Sequence, residues 1–258
     1  MERITRRWPA ARRTVLPVTG LVGVLVTAGA LGGCSGGGSG AGRSSAAPTA
    51  EPIADCVTLQ EQAASGVHVV GTAGQVDALV LGARGTTGIV FANMSDNDPC
   101  GWLPTATGYA AQGYRTAVFV YSSRQGADAD VLDVAAELRR RGATRIALVG
   151  ASKGGTSVIS AAARAQAVAV VELSAPQAYE GLDAVAAVKS LTVPTLFVVG
   201  DGDTEFVAGT DALHSASPAT VKPLRHVTSG AHGTGLLADS GVGDALTAFL
   251  TAHAPPTP

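Results

Sequence analysis

Three features of the sequence predict a three-layer α/β fold, a mostly parallel sheet with helices on both faces. From Val67 onward, short apolar runs alternate with helical patterns, the order that parallel crossovers produce. No segment repeats at a fixed period, which sets aside solenoids and propellers. The chain has 258 residues, 46% hydrophobic and 15% charged, enough for one domain with a sizeable core. The same composition excludes a disordered or collagen-like chain. A net charge of -2 and only 4% aromatic residues do not suit a nucleic-acid binder.

The first element is a leader. Arg3, Arg6, Arg7, Arg12 and Arg13 stand against one acid, Glu2, and an uncharged stretch from Thr14 to Gly33 follows. A basic head, an apolar middle and small residues at the end describe a secretory signal peptide over residues 1–33. A retained membrane span is the alternative, weakened by Pro17 and the glycines of the stretch. The closing Leu31-Gly32-Gly33-Cys34 resembles the lipobox of bacterial lipoproteins. That resemblance implies lipidation of Cys34 and anchoring to the outer face of the cell membrane. Residues 34–52 are rich in Gly, Ser, Ala and Pro without apolar periodicity, a flexible tether leading to a domain over 53–258. Without the leader the chain keeps 13 basic and 19 acidic side chains, a net charge of -6.

Cys56 and Cys100 remain for the exported domain. In an oxidising space the pair is expected to form a disulfide, with two buried free thiols as the alternative. No CxxC or Cys/His cluster exists, so zinc is not expected; with no Walker loop, dinucleotide fingerprint, HExxH or EF-hand spacing, no other metal and no cofactor is expected.

Within the domain, Val67–Val70 and Asp77–Leu81 read as an opening hairpin, with His68 placed ahead of the main sheet. Gly88–Ala92 is a compact buried strand, followed by a polar loop, Asn93–Cys100, and a helix at Leu103–Ala111. Arg115–Tyr121 is the next strand. Asp128–Arg141 carries an apolar stripe and ends in Arg139, Arg140 and Arg141, cations that complement a helix C-terminus rather than form a binding patch. Further strands are read at Arg145–Gly150, Val168–Leu173, Thr195–Val199 and Val221–Val227. Helices are read at Thr156–Ala167, Gly181–Ser190 and Gly243–Ala252. In such sheets, catalytic groups sit on loops after the carboxyl ends of strands.

Gly150-Ala151-Ser152-Lys153-Gly154 stands at such a place and fits G-x-S-x-G, whose small residues permit a strained turn that presents a serine hydroxyl. The motif alone is weak, with roughly 0.3 chance matches expected in a chain this rich in Gly and Ser. Ser152 also suits a plain helix N-cap. Position separates it from Gly33-Cys34-Ser35-Gly36-Gly37, which lies in the tether. A serine nucleophile needs a base and an orienting acid. Gly200-Asp201-Gly202-Asp203 and Ser229-Gly230-Ala231-His232-Gly233 follow two later strands.

With its three motifs in the order Ser, Asp, His, the region from about Val67 to Ala254 resembles the α/β-hydrolase family. The resemblance implies the α/β-hydrolase fold, with Ser152 as nucleophile, His232 as base and then acid, and Asp203 as orienting acid. Asp201 is the rival acid; His226 and His214 are the rival bases, though one falls in a strand pattern and the other in a helix, and His253 sits in the tail. The oxyanion donors would be the backbone N–H of Lys153 and that of Met94 or Ser95. Here the chain departs from the family's His-Gly and has Asn93-Met94. The interval from Leu173 to Pro194 leaves no room for a large lid, so small or soluble esters are expected as substrates. Asp96 and Asp98 are expected to disfavour anionic ones. The expected enzyme is a monomeric serine hydrolase, a carboxylesterase; a non-catalytic lipoprotein binding a ligand or partner is the competing class.

Overall fold

The computed structural model describes residues 51–71, 74–122 and 126–257. The leader, Cys34 and all but the end of the tether lie outside the described residues. Among the described residues, no helix is long and apolar enough to cross a membrane.

The first helix, α1 (Leu59–Ser65), has no counterpart in the sequence reading because it buries no residue. It forms locally: Thr58 Oγ1 accepts from the Glu61 N–H, and the Glu61 carboxylate accepts from the Thr58 N–H, a capping box. The strands β1 (Gly66–Gly71) and β2 (Gly74–Leu81) pair antiparallel, as expected, but His68 lies within β1 opposite Asp77 and so belongs to the sheet. There follow β3 (Thr87–Ala92), α2 (Leu103–Ala111), β4 (Arg115–Val120), α3 (Ala127–Arg140), β5 (Arg145–Ala151) and α4 (Lys153–Ala161). The chain continues through β6 (Ala169–Leu173), the short strands β7 (Ala178–Tyr179) and β8 (Leu182–Asp183), and α5 (Ala184–Val188). It closes with β9 (Thr195–Gly200), α6 (Thr204–Ala216), β10 (Leu224–Val227) and α7 (Ser240–His253).

Eight strands form one sheet in the order β1-β2-β4-β3-β5-β6-β9-β10. The pairings from β4 through β10 are parallel, and β2 joins β4 antiparallel. Strands β3, β6 and β9 are buried at every residue, which is why they read as unbroken apolar runs rather than alternating ones. Their side chains serve two cores. Val90 and Ala92 join Val134, Leu138 and Ile159 on the face covered by α3 and α4, while Ile89 and Phe91 join Trp102, Leu246 and Leu250 beneath α2 and α7. Each large side chain fully buried in these layers contributes about 1.5–3 kcal/mol.

Three helices depart from expectation, among them α7, which starts at Ser240 rather than Gly243. Helix α4 starts three residues earlier than expected, directly after Ser152, and ends at Ala161. The segment expected as one helix over Gly181–Ser190 instead begins with a turn: Glu180 and Gly181 have φ of 45° and 86°, which no helix accommodates, and only α5 is helical. The arginine triplet is structural, as expected: Arg140 and Arg141 pair with Glu137, and Arg139 donates to the Ala165 carbonyl at 2.7 Å. Cys56 and Cys100 form a disulfide, S–S 2.07 Å. It spans 44 residues, a closure that stabilises by about 3–4 kcal/mol through chain entropy.

Candidate active site

The site is built at the carboxyl ends of β5, β9 and β10. Strand β5 delivers a buried chain to Ala151, and Ser152 then adopts φ 51° and ψ -121°. Such a backbone costs a non-glycine residue about 1–3 kcal/mol and persists only where its surroundings impose it. Here the Ser152 N–H donates to the Leu173 carbonyl at 2.8 Å, and its carbonyl accepts from the Thr156 N–H at 3.2 Å. The flanking glycines are required sterically. A Cβ on Gly150 would lie 2.2 Å from the Gly154 carbonyl oxygen, and one on Gly154 would lie 2.2 Å from that of Ala92. Ser152 holds the N-cap position of α4, yet its side chain makes no cap bond, so the helix leaves the hydroxyl unused.

The other two segments meet through their own close approaches. The Asp201 N–H donates to the Val227 carbonyl at 2.8 Å and that of Gly202 to the Ser229 carbonyl at 2.9 Å. A Cβ on Gly200 would come within 2.5 Å of the Ser229 carbonyl oxygen. Docked in this way, the two loops bring Asp203 Oδ2 to 2.8 Å from His232 Nδ1. Asp203 is 9% exposed, and the ring of Phe206 packs 4.1 Å from that of His232. Gly233 connects the histidine loop to the rest of the site: a Cβ there would stand 2.6 Å from Met94 Sδ and 3.4 Å from Ala151 Cβ. Ser152, His232 and Asp203 therefore share one corner of the sheet.

The rival residues are engaged elsewhere. Asp201 pairs with His226 at 3.1 Å. His214 contacts the Lys222 carbonyl through Nε2 at 2.9 Å and meets Phe197 edge-on, and His253 packs against Phe249.

The loop after β3 is fastened at several points. Buried Asn93 donates to the Phe119 carbonyl, and its own carbonyl accepts from the Tyr121 hydroxyl at 3.1 Å. Asn97 grips the backbone of Tyr121 twice, accepting from its N–H at 2.7 Å and donating to its carbonyl at 3.3 Å. Trp102 Nε1 donates to the Ala92 carbonyl at 3.0 Å. Met94 leaves this loop half-buried toward Gly233 and Thr234, while Ser95 is exposed. Lys153 occupies the first position of α4, where the N–H has no partner within the helix. Asn97, Tyr121 and Phe206 are given no part in the site by the sequence reading. Only Tyr121 carries a signal, a polar-tipped aromatic that ends an apolar strand.

Beneath the site lies Glu172, on β6 opposite Gly150. Burial pushes its carboxyl up to about 8, against the pull of the bond that Oε2 accepts from the Ala175 N–H at 2.8 Å. Among the described residues, the one group of metal-ligand type close enough to hold an ion is Cys56, Asp98 and Cys100, and both sulfurs are committed to the disulfide.

No family model matches the chain, and no curated protein matches it. Solved structures do. An α/β serine hydrolase without a lid from Xanthomonas campestris is 17% identical, with a TM-score of 0.59 over 75% of this chain and 96% of that one. An esterase from Pyrococcus furiosus is 11% identical, with a TM-score of 0.64 over 73% and 91%. A dienelactone hydrolase from Anabaena variabilis is 17% identical, with a TM-score of 0.62 over 73% and 96%. At these identities the likeness establishes architecture: the chain has the α/β-hydrolase fold.

Proposed function

We propose that this protein is a serine hydrolase acting on ester bonds, a carboxylesterase that works through an acyl-enzyme on Ser152. The observation that carries the reading is the 2.8 Å His232–Asp203 pair, joined through Gly233 to the strained turn that presents Ser152. Ser152 Oγ attacks the ester carbonyl carbon while its proton passes to His232 Nε2. Asp203 fixes the ring with Nδ1–H toward its carboxylate and stabilises the imidazolium. The N–H groups of Lys153 and Met94 receive the developing oxyanion, each such donor being worth roughly 10²–10³ in rate. Collapse breaks the bond to the alcohol, which leaves with the proton from His232. A water then repeats the sequence on the acyl-enzyme and frees the acid.

The esterase and serine hydrolase names among the structural neighbours are compatible with this chemistry. Between β6 and β9 the chain holds only the β7–β8 hairpin and α5, which favours small or soluble esters over substrates that need a large lid. The purified domain, incubated with a fluorophosphonate probe, is expected to label in the wild type and not as Ser152→Ala. A folded wild type that does not label instead supports a non-catalytic binding protein on this scaffold.

We also propose that the chain is exported and held on the outer face of the bacterial cell membrane by lipid on Cys34. The support is the Leu31-Gly32-Gly33-Cys34 run behind a basic, then apolar, leader. Metabolic labelling with an alkyne fatty acid should mark the wild type and miss Cys34→Ala; an unlabelled wild type would sink the idea.

A further inference from the structure

Building on the serine hydrolase reading, we propose that the ester substrate carries a free carboxylate, which Lys153 binds in exchange for Glu180. Lys153 Nζ lies 4.5 Å from the centroid of the Tyr121 ring and 5.7 Å from that of Tyr179, with Glu180 Oε2 at 3.3 Å. The Lys153 side chain is 13% exposed and that of Glu180 is 60% exposed. A lysine side chain so enclosed has little contact with water, and aromatic faces replace only part of an ammonium's solvation, so the position calls for an anion.

The two partners of this cation differ in how firmly they are held. Tyr121 is buried, and its hydroxyl is bonded to the Asn93 carbonyl, so the aromatic seat belongs to the core. Glu180 sits on the turn of a hairpin whose strands have two residues each and pair only at Ala178–Asp183 and Tyr179–Leu182. A strand pair that short has little stability of its own, and an ion pair with one exposed partner is weak. A fixed cation with an exchangeable anion is the arrangement a carboxylate ligand needs. One carboxylate replaces another, and the charge of the site is unchanged.

The backbone of Lys153 adjoins the proposed reacting groups. Lys153 follows Ser152 directly, and Tyr121 holds the carbonyl of the residue before Met94. The other acids nearby are occupied. Asp130 feels the ammonium, but its two oxygens accept from the Ser122 N–H at 2.9 Å and the Ser122 hydroxyl at 2.8 Å. Asp96 and Asp98, which the sequence suggests would repel anions, lie in the loop after β3, each accepting from an N–H of that loop.

Two matched ester pairs test the proposal: 4-nitrophenyl hemiglutarate against 4-nitrophenyl pentanoate, and 4-acetoxybenzoate against phenyl acetate. The first places the carboxylate on the acyl side, the second on the leaving group. In one pair the wild type is expected to favour the anion in kcat/KM by about tenfold. Lys153→Met should abolish that ratio, Lys153→Arg should largely keep it, and Glu180→Gln should raise it several-fold by freeing the cation. Because each ratio is internal to one variant, a general loss of activity cancels. Ratios near one in both pairs for the wild type, or a preference that survives in Lys153→Met, overturn the proposal while Ser152 labelling leaves the hydrolase reading standing. A folded wild type that neither labels nor cleaves any of the four esters overturns both.

Discussion

Two histidines of this protein each hold a carboxylate at 2.8 Å, and only one of them sits at the candidate active site. His232 has a single acid, Asp203, which is nearly buried, and its ring is backed by Phe206. His226 has two, Asp201 through Nδ1 at 3.1 Å and Asp211 through Nε2 at 2.8 Å, yet all three side chains are between 34% and 52% exposed. By count of partners His226 is the better-furnished base. Its surroundings say otherwise, because both ring nitrogens are already engaged and none is left to take a proton from a nucleophile. His232 uses only Nδ1 for its acid, which on the proposed mechanism leaves Nε2 for the nucleophile's proton, and a Cβ on the next residue, Gly233, would stand 2.6 Å from Met94 Sδ and 3.4 Å from Ala151 Cβ. A histidine–carboxylate pair becomes a catalytic one through the free nitrogen and what faces it.

The sharpest way to break this contrast is to neutralise the two acids of the Gly200–Asp203 turn one at a time. Asp203→Asn is expected to lower kcat/KM for a neutral ester by roughly 10²–10⁴, because the amide no longer orients the ring or stabilises the imidazolium. Asp201→Asn should change it by less than about threefold, since it removes a pair made in solvent. Equal losses in the two variants would mean that the turn itself, rather than the Asp203–His232 bond, matters.

These assignments were unequally legible in the sequence. The Ser152 turn was readable because its steric demand falls on residues two positions away on either side, Gly150 and Gly154. That Asp203 faces His232 while Asp201 faces His226 rests on hydrogen bonds from the Gly200–Asp203 turn to Val227 and Ser229, more than 20 residues on, which no local pattern reports. The same holds for Tyr121 and Asn97, whose mutual grip spans 24 residues. Helix α1 and the β7–β8 hairpin escaped for a different reason. Neither buries a periodic apolar face, so capping and turn geometry alone define them. The strands at the sheet centre were legible because burial on both faces leaves a continuous apolar run.

Glu172 extends the comparison to what burial does in the absence of a counter-charge. Its folded carboxyl is pushed up to about 8 by desolvation, from an ordinary value of 4.5. As pH rises through that interval the unfolded chain gives up its proton first, so the contribution of this group to stability is greatest below about 4.5 and falls toward 8. Glu172→Gln mimics the protonated form and should flatten this dependence, gaining on the wild type by on the order of a few kcal/mol near pH 8. Urea midpoints at pH 5 and pH 8 check it, and a wild type equally stable at both would refute the assignment.

The smallest effect belongs to His226, whose pKa is raised for the opposite reason, by its bond to Asp211 and then by Asp201. A histidine held charged in the folded state adds stability that is complete below the ordinary value of about 6.5 and is lost as pH climbs through the raised one. Solvent screening keeps the contribution to a few tenths of a kcal/mol. His226→Ala should therefore lower the thermal midpoint slightly at pH 6, leave it unchanged at pH 9, and keep kcat/KM within about twofold, because losing an exposed ion pair touches neither nucleophile nor base. An activity loss comparable to that of Asp203→Asn would instead tie this outer pair to the catalytic one through the turn they share.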